Sequence, residues 1–287
     1  MRWKDLRRSS NVRDSRGARS GMGFRLPLGR GGRAGGGLGA IVLLVIVFIL
    51  GGPEALNYLL GSGASIPAGQ QSGQPLSASD DESQFVAAIL GSTEDIWSAL
   101  FAESGERYTP PQLTLFDGAV QSACGFASSA VGPFYCPRDR RVYLDTSFFQ
   151  DLARLGGPGD FAQAYVIGHE IGHHVQNLLG TADRVRDAQA GAGEGAANQL
   201  QVAMELQADC FAGVWAAHAN QRDSVLEPGD VEEGLAAAAA IGDDRLQRGA
   251  GRTVTPDSFT HGSSSQRQRW LGVGLQSGDP AACDTFR

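Results

Sequence analysis

The chain has 287 residues, enough for one large or two small domains, and 42% of them are hydrophobic, so a sizeable core can form. Its formal net charge of −7 conceals two regions: residues 1–33 carry ten basic against two acidic side chains, and the remainder carries 14 basic against 29 acidic. An acidic main body excludes nucleic acid as the expected partner, because phosphate binding draws on Lys and Arg.

Residues 1–33, rich in Arg, Gly and Ser, read as a disordered basic tail. The 20 uncharged residues 34–53 follow, with LGAIVLLVIVFIL at their centre, and as a helix they would span roughly 30 Å, the thickness of a bilayer core. A single transmembrane helix is the expectation. A cleaved signal peptide is the rival reading, since the continuous apolar run is short, but a 33-residue basic leader is long for one. The positive-inside rule then places the tail in the cytoplasm and everything after Glu54 outside.

Residues 54–80 drift into Gly, Ser, Gln and Pro, a flexible linker. The folded domain is expected over 81–287. It starts with helical sequence at 82–103, broken near Gly91 and restarted by a Ser92 or Thr93 cap. From Gln112 to Asp145 the pattern is one of short strands, whose free edge could pair with an extended peptide. A short helix over Thr146 to Leu155 leads to Asp160–Gly180, a helix with Asp160 as its cap and Gly180 as its left-handed stop. Residues 200–218 read as a second long helix, Val231–Gln247 as a third packed through Ala236–Ala240, and Ser264–Gln276 as the last.

The Asp160 helix contains His169, Glu170 and His173 in an H-E-x-x-H pattern. Residues four apart lie one above the other on a helix, so both imidazoles can face one ion. A catalytic zinc usually takes a third protein ligand and keeps an open position. Glu205 on the next helix can supply that ligand, ahead of Glu194, which sits in glycine-rich sequence. Asp209, one turn further, is placed to accept a bond from a ligating histidine and fix its tautomer. Gly168 and Gly172 on one helix, with Ala208, Ala212 and Gly213 on the other, allow close approach. His174 points away from His173 and reads as a supporting or surface residue, and His218 as a helix-terminal one.

Four cysteines fall after the apolar run, in a compartment that permits disulfides. The preferred pairing joins Cys124 to Cys136 across a hairpin-sized loop and Cys210 to Cys283; thiol ligation of metal is the alternative, without C-x-x-C spacing to support it.

HEIGHH, ELQADCFAGVW, GPFYCPRDRRVYLD, HGSSSQRQRW, the terminal CDTF and the opening MRWKDLRRSSNVRDSRG together resemble the bacterial neutral zinc metallopeptidase family. The resemblance implies a basic N-terminus, one membrane helix and an outer zincin-type domain, an α+β and mostly helical fold with a small sheet. It implies a gluzincin arrangement in which His169, His173 and Glu205 hold Zn2+ and Glu170 is the base. A membrane-anchored zinc endopeptidase acting on peptide or protein outside the cytoplasm is the expected function. His261 is the preferred oxyanion donor, with Tyr165, Tyr143 and Arg267 as the other candidates. Two other readings remain: a non-catalytic binding protein with a structural zinc, and a zinc amidohydrolase acting on cell-wall peptide.

Overall fold

The computed structural model describes residues 1–17, 76–77 and 79–287; the expected membrane helix 34–53, nearly all of the linker and residues 18–33 lie outside them. The described residues are mostly helical, with a small four-stranded sheet and one separate hairpin. Chain order runs β1 (Val12–Asp14), α1 (Asp81–Glu103), β2 (Gln112–Phe116), β3 (Ala119–Ser122), β4 (Gly125–Ser128), β5 (Phe134–Cys136) and β6 (Arg141–Asp145). The helices α2 (Ser147–Arg154), α3 (Asp160–Leu178), α4 (Thr181–Ala190), α5 (Glu194–Asp223), α6 (Asp230–Ala240), α7 (Asp243–Gly249) and α8 (Ser264–Ser277) complete it.

The sheet has the order β1-β2-β6-β5; β1, β2 and β6 are parallel and β5 runs antiparallel to β6. Side chains alternate across a strand, and here both faces are covered. Leu113, Leu115, Val142 and Leu144 join the main helical core, while Phe116 and Tyr143 pack with Val120, Ala127 and Cys136 beneath the β3–β4 hairpin. The two expected disulfides form: Cys124–Cys136 ties that hairpin to β5, and Cys210–Cys283 ties the C-terminal segment to α5.

The solvated basic tail is corrected over residues 1–17. Met1, Leu6 and Val12 are buried in the main core, Ser9 N donates to Ala87 O at 2.8 Å, and β1 pairs with β2 through Val12–Leu113 to Asp14–Leu115. Several of the arginines that read as solvated charge are engaged: Arg7 with Glu94 and Asp95, Arg16 with Asp14 and Asp80. A second correction follows from the first. Helix α1 is not broken at Gly91; a Cβ there would lie 2.4 Å from the Arg7 carbonyl oxygen, so the glycine admits the crossing N-terminal segment. Helix α1 has the length and hydropathy of a membrane span, yet 72% of that window is buried inside the fold, which makes it a core helix.

Helices α3 and α5 pack as their small residues require. A Cβ on Gly172 would meet Ala208 O at 2.8 Å, and one on Gly168 would meet the Trp215 ring at 2.9 Å. Gly213 serves a different neighbour, lying against Leu271 and Leu275 of α8, where Gly274 in turn lies against Cys210. The expected helix from Val231 to Gln247 is two helices, parted at Gly242, where the backbone of Ser264 passes too close for any side chain.

Candidate metal centre

Helix α3 starts after Gly159, whose φ of 115° places it in the left-handed region, and ends at Gly180, φ 69°. Asp160 does not cap it. Its carboxylate pairs with the Met1 ammonium at 2.7 Å, and the first-turn amide of Phe161 donates to Glu233 instead. The nearby acidic group of Asp160, Asp230 and Glu233 thus has the Met1 ammonium for a counter-charge, through Asp160 and Asp230.

Halfway along α3, His169 Nε2 and His173 Nε2 lie 3.2 Å apart. Helix α5 brings Glu205 to them, Oε2 at 3.2 Å from His169 Nε2 and Oε1 at 3.5 Å from His173 Nε2. Zinc bonded tetrahedrally to nitrogen and oxygen at 2.0–2.1 Å separates its ligand atoms by about 3.3 Å. The two nitrogens and one oxygen therefore fit the edges of a zinc tetrahedron, and their chemistry is that of a catalytic donor set. His173 is 18% exposed, while His169 and Glu205 are buried.

Each imidazole is oriented through its other nitrogen. His169 Nδ1 donates to Asp209 Oδ1 at 2.8 Å, which leaves Nε2 free to coordinate. His173 Nδ1 donates to Gln176 Oε1 at 2.9 Å, and Gln176 Nε2 donates in turn to Met204 O on α5 at 2.7 Å. Gln201 Nε2 donates to Glu205 Oε1 at 3.1 Å.

Asp209 has no solvent exposure and takes four contacts. Tyr165 Oη donates at 2.6 Å, His169 Nδ1 at 2.8 Å, and the Arg267 guanidinium at 2.8 and 2.9 Å. Burial alone would raise its pKa, but Arg267 and His169 outweigh that and hold the carboxyl at about 2. Burial also works against charge on Glu205 and His173. Their mutual attraction wins, with Glu205 well below the carboxylate range and His173 pushed up to about 9. These directions describe a group of donors that holds protons where a cation fits. Glu170, one residue past His169, moves the other way: burial raises its pKa, opposed by both imidazoles. A carboxylate with a raised pKa beside a cation site suits a base that must accept and return a proton.

Three of the four oxyanion candidates are committed elsewhere. Tyr165 and Arg267 belong to the Asp209 cluster, and Tyr143 Oη donates to Asp139 at 2.8 Å on the hairpin side of the sheet. His261 differs. Its main-chain amide and Nδ1 are held by Asp243 at 2.7 and 3.2 Å, and its side chain is 38% exposed. Gly262 beside it packs on Val202 and Leu206, the turns of α5 that flank Glu205.

His174 is buried: Nε2 donates to Thr109 O at 2.7 Å and Nδ1 accepts from Tyr135 Oη at 3.0 Å. Asn177 donates to the same hydroxyl at 3.0 Å, so α3 holds the outer strand β5 through Tyr135. This link joins sequence positions about 40 apart and has no sequence signature. His218 Nε2 donates to Gly278 O at 2.8 Å, closing the end of α8.

A family profile described as "Putative neutral zinc metallopeptidase" matches residues 1–286. The chain is 48% identical over 295 residues to the "Uncharacterized protein YpfJ" of Escherichia coli, covering 100% of this chain and 99% of that one. It is also 48% identical over 213 residues to the "Uncharacterized protein Rv2575" of Mycobacterium tuberculosis, covering 70% and 69% of the two chains. No solved structure matches.

Proposed function

The chain belongs to the neutral zinc metallopeptidase family, and from that premise we propose that it is a zinc-dependent endopeptidase acting outside the cytoplasm, with a zincin-like active site. The observation that carries the reading is the convergence of His169, His173 and Glu205 at tetrahedral spacing, with Glu170 next to His169 in sequence.

His169, His173 and Glu205 would hold the zinc, which when bound acidifies water and polarises a carbonyl. The Glu170 carboxylate takes the proton of the attacking water and passes it to the departing amine, a role its burial favours. His261 donates through Nε2 to the oxygen of the tetrahedral intermediate; Asp243 fixes its ring and raises its pKa against the effect of burial. Asp209 and Gln176 keep both ligand imidazoles in one tautomer. Among the described residues β5 is an edge strand of its sheet, held to α3 through Tyr135, and its outer edge would offer main-chain groups to an extended peptide of any sequence. Two disulfides support an oxidising compartment.

The test compares wild type and Glu170→Gln on a pool of unfolded polypeptides, with cleavage read by mass spectrometry and zinc by metal analysis. Equal zinc with cleavage lost supports the mechanism. Equal zinc with equal cleavage removes Glu170 from it, and zinc without cleavage in the wild type returns the site to a structural role.

A further inference from the structure

Residues 1–17 and 79–287 are one folded unit, yet the 20 uncharged residues 34–53 lie between them in sequence. The join is made along its whole length. Arg2 N donates to Val225 O at 2.8 Å, Ser9 N to Ala87 O at 2.8 Å, Leu113 N to Asn11 O at 2.9 Å and Ser15 N to Leu115 O at 2.8 Å. At the point of departure, Gly17 N donates to Asp117 at 3.0 Å. Arg16 pairs with Asp14 before the intervening sequence and with Asp80 and Glu82 after it. The chain therefore leaves the fold and re-enters it through one neck.

We infer that the N-terminal strand and the metal centre occupy the same aqueous compartment. A single helical crossing by residues 34–53 would leave its flanks on opposite faces, about 30 Å apart. Strands β1 and β2 could not then pair, and the faces of Val12 and Leu113 that are buried together would both be wet. Three of the ten basic residues behind the positive-inside argument are moreover engaged by the protein itself. Arg7 and Arg16 are paired with carboxylates of the domain, and Arg8 donates to backbone carbonyls of Trp3, Lys4 and Leu6. Contact with lipid from one face is compatible with the neck, and the inference holds whether or not the protein cleaves peptides.

The test labels single cysteines with a membrane-impermeant maleimide in cells making the full chain. Arg13→Cys and Ser10→Cys report on the exposed side of the N-terminal segment, and Asp183→Cys reports on α4. The wild type, whose four cysteines are paired, sets the background. The expected result is that all three variants label in the same preparation, spheroplast or lysate. If all label before lysis, the extracytoplasmic location proposed above also stands; if all label only after it, that location falls and the shared compartment remains. Either N-terminal cysteine labelling on the opposite side from Asp183→Cys, in protein that purifies folded with its zinc, overturns the inference.

Discussion

Replacing Arg267 with methionine separates two roles for a cation beside the proposed metal ligands. In the fold the guanidinium is 3% exposed and makes bonds of 2.9 and 2.8 Å to Asp209, which is fully buried. Arg267→Met keeps the apolar stem but strands the carboxylate, and breaking a buried pair from one side costs about 3 to 5 kcal/mol. That is a large share of the roughly 5 to 15 kcal/mol that holds a typical domain together. Asp209 still accepts from His169, so zinc affinity should fall by no more than about 10- to 100-fold, the range for lost supporting bonds. Adding Asp209→Asn should recover part of the stability, since no charge is then left without its counter-ion. Urea unfolding of metal-free protein and competition titration with a chelator measure both quantities. The reasoning is refuted if Arg267→Met unfolds within about 1 kcal/mol of wild type while kcat falls by about 10²- to 10³-fold, the signature of a lost oxyanion donor.

Glu205→Ala should purify without zinc and Cys136→Ser with it; metal analysis showing the reverse would move the third ligand to a thiol. Burial holds His174 at about 4, partly opposed by its bond to Thr109. A histidine depressed in the fold stabilises above its unfolded pKa near 6.5, and that contribution, roughly 3 kcal/mol, is lost as pH falls toward 4. His174→Gln should flatten that part of the stability profile of metal-free protein, and an unchanged slope would exclude His174 as its source. On α8, Gly274→Ala would place a Cβ 2.0 Å from Cys210 O and should cost at least about 1 to 3 kcal/mol, whereas Gly272→Ala, with open space around it, should stabilise by up to about 1 kcal/mol. Thermal unfolding of the pair checks this.

The convergence of His169, His173 and Glu205 was legible because these donors are written at helical spacing. His169 and His173 four apart, Glu205 and Asp209 four apart, and small residues between the two helices all describe local geometry that the fold only has to bring together. Both disulfides followed from the same economy of few cysteines. The N-terminal segment was not legible. A three-residue strand has no measurable period, and six basic residues in 17 read as solvated charge unless their partners, 60 to 90 positions away, are known. Gly91 was misread for the same reason: a glycine in a helix signals either a break or a close neighbour, and the neighbour came from the other end of the chain. Arg267 could be named as a cation near the site, but its bond to Asp209, 58 residues away, is a property of packing.

The imidazoles of His169 and His173 take their bearings from the same rod. His169 answers to Asp209 on α5, and His173 answers, through Gln176, to the Met204 carbonyl of α5, while Gly172 rests on Ala208 between them. Sliding one helix along the other by a fraction of an ångström would therefore swing both rings together. For the proposed zinc site, ion retention becomes a gauge of how tightly the helices are seated, and a substitution buried far from either imidazole can register first as metal leaking from the protein.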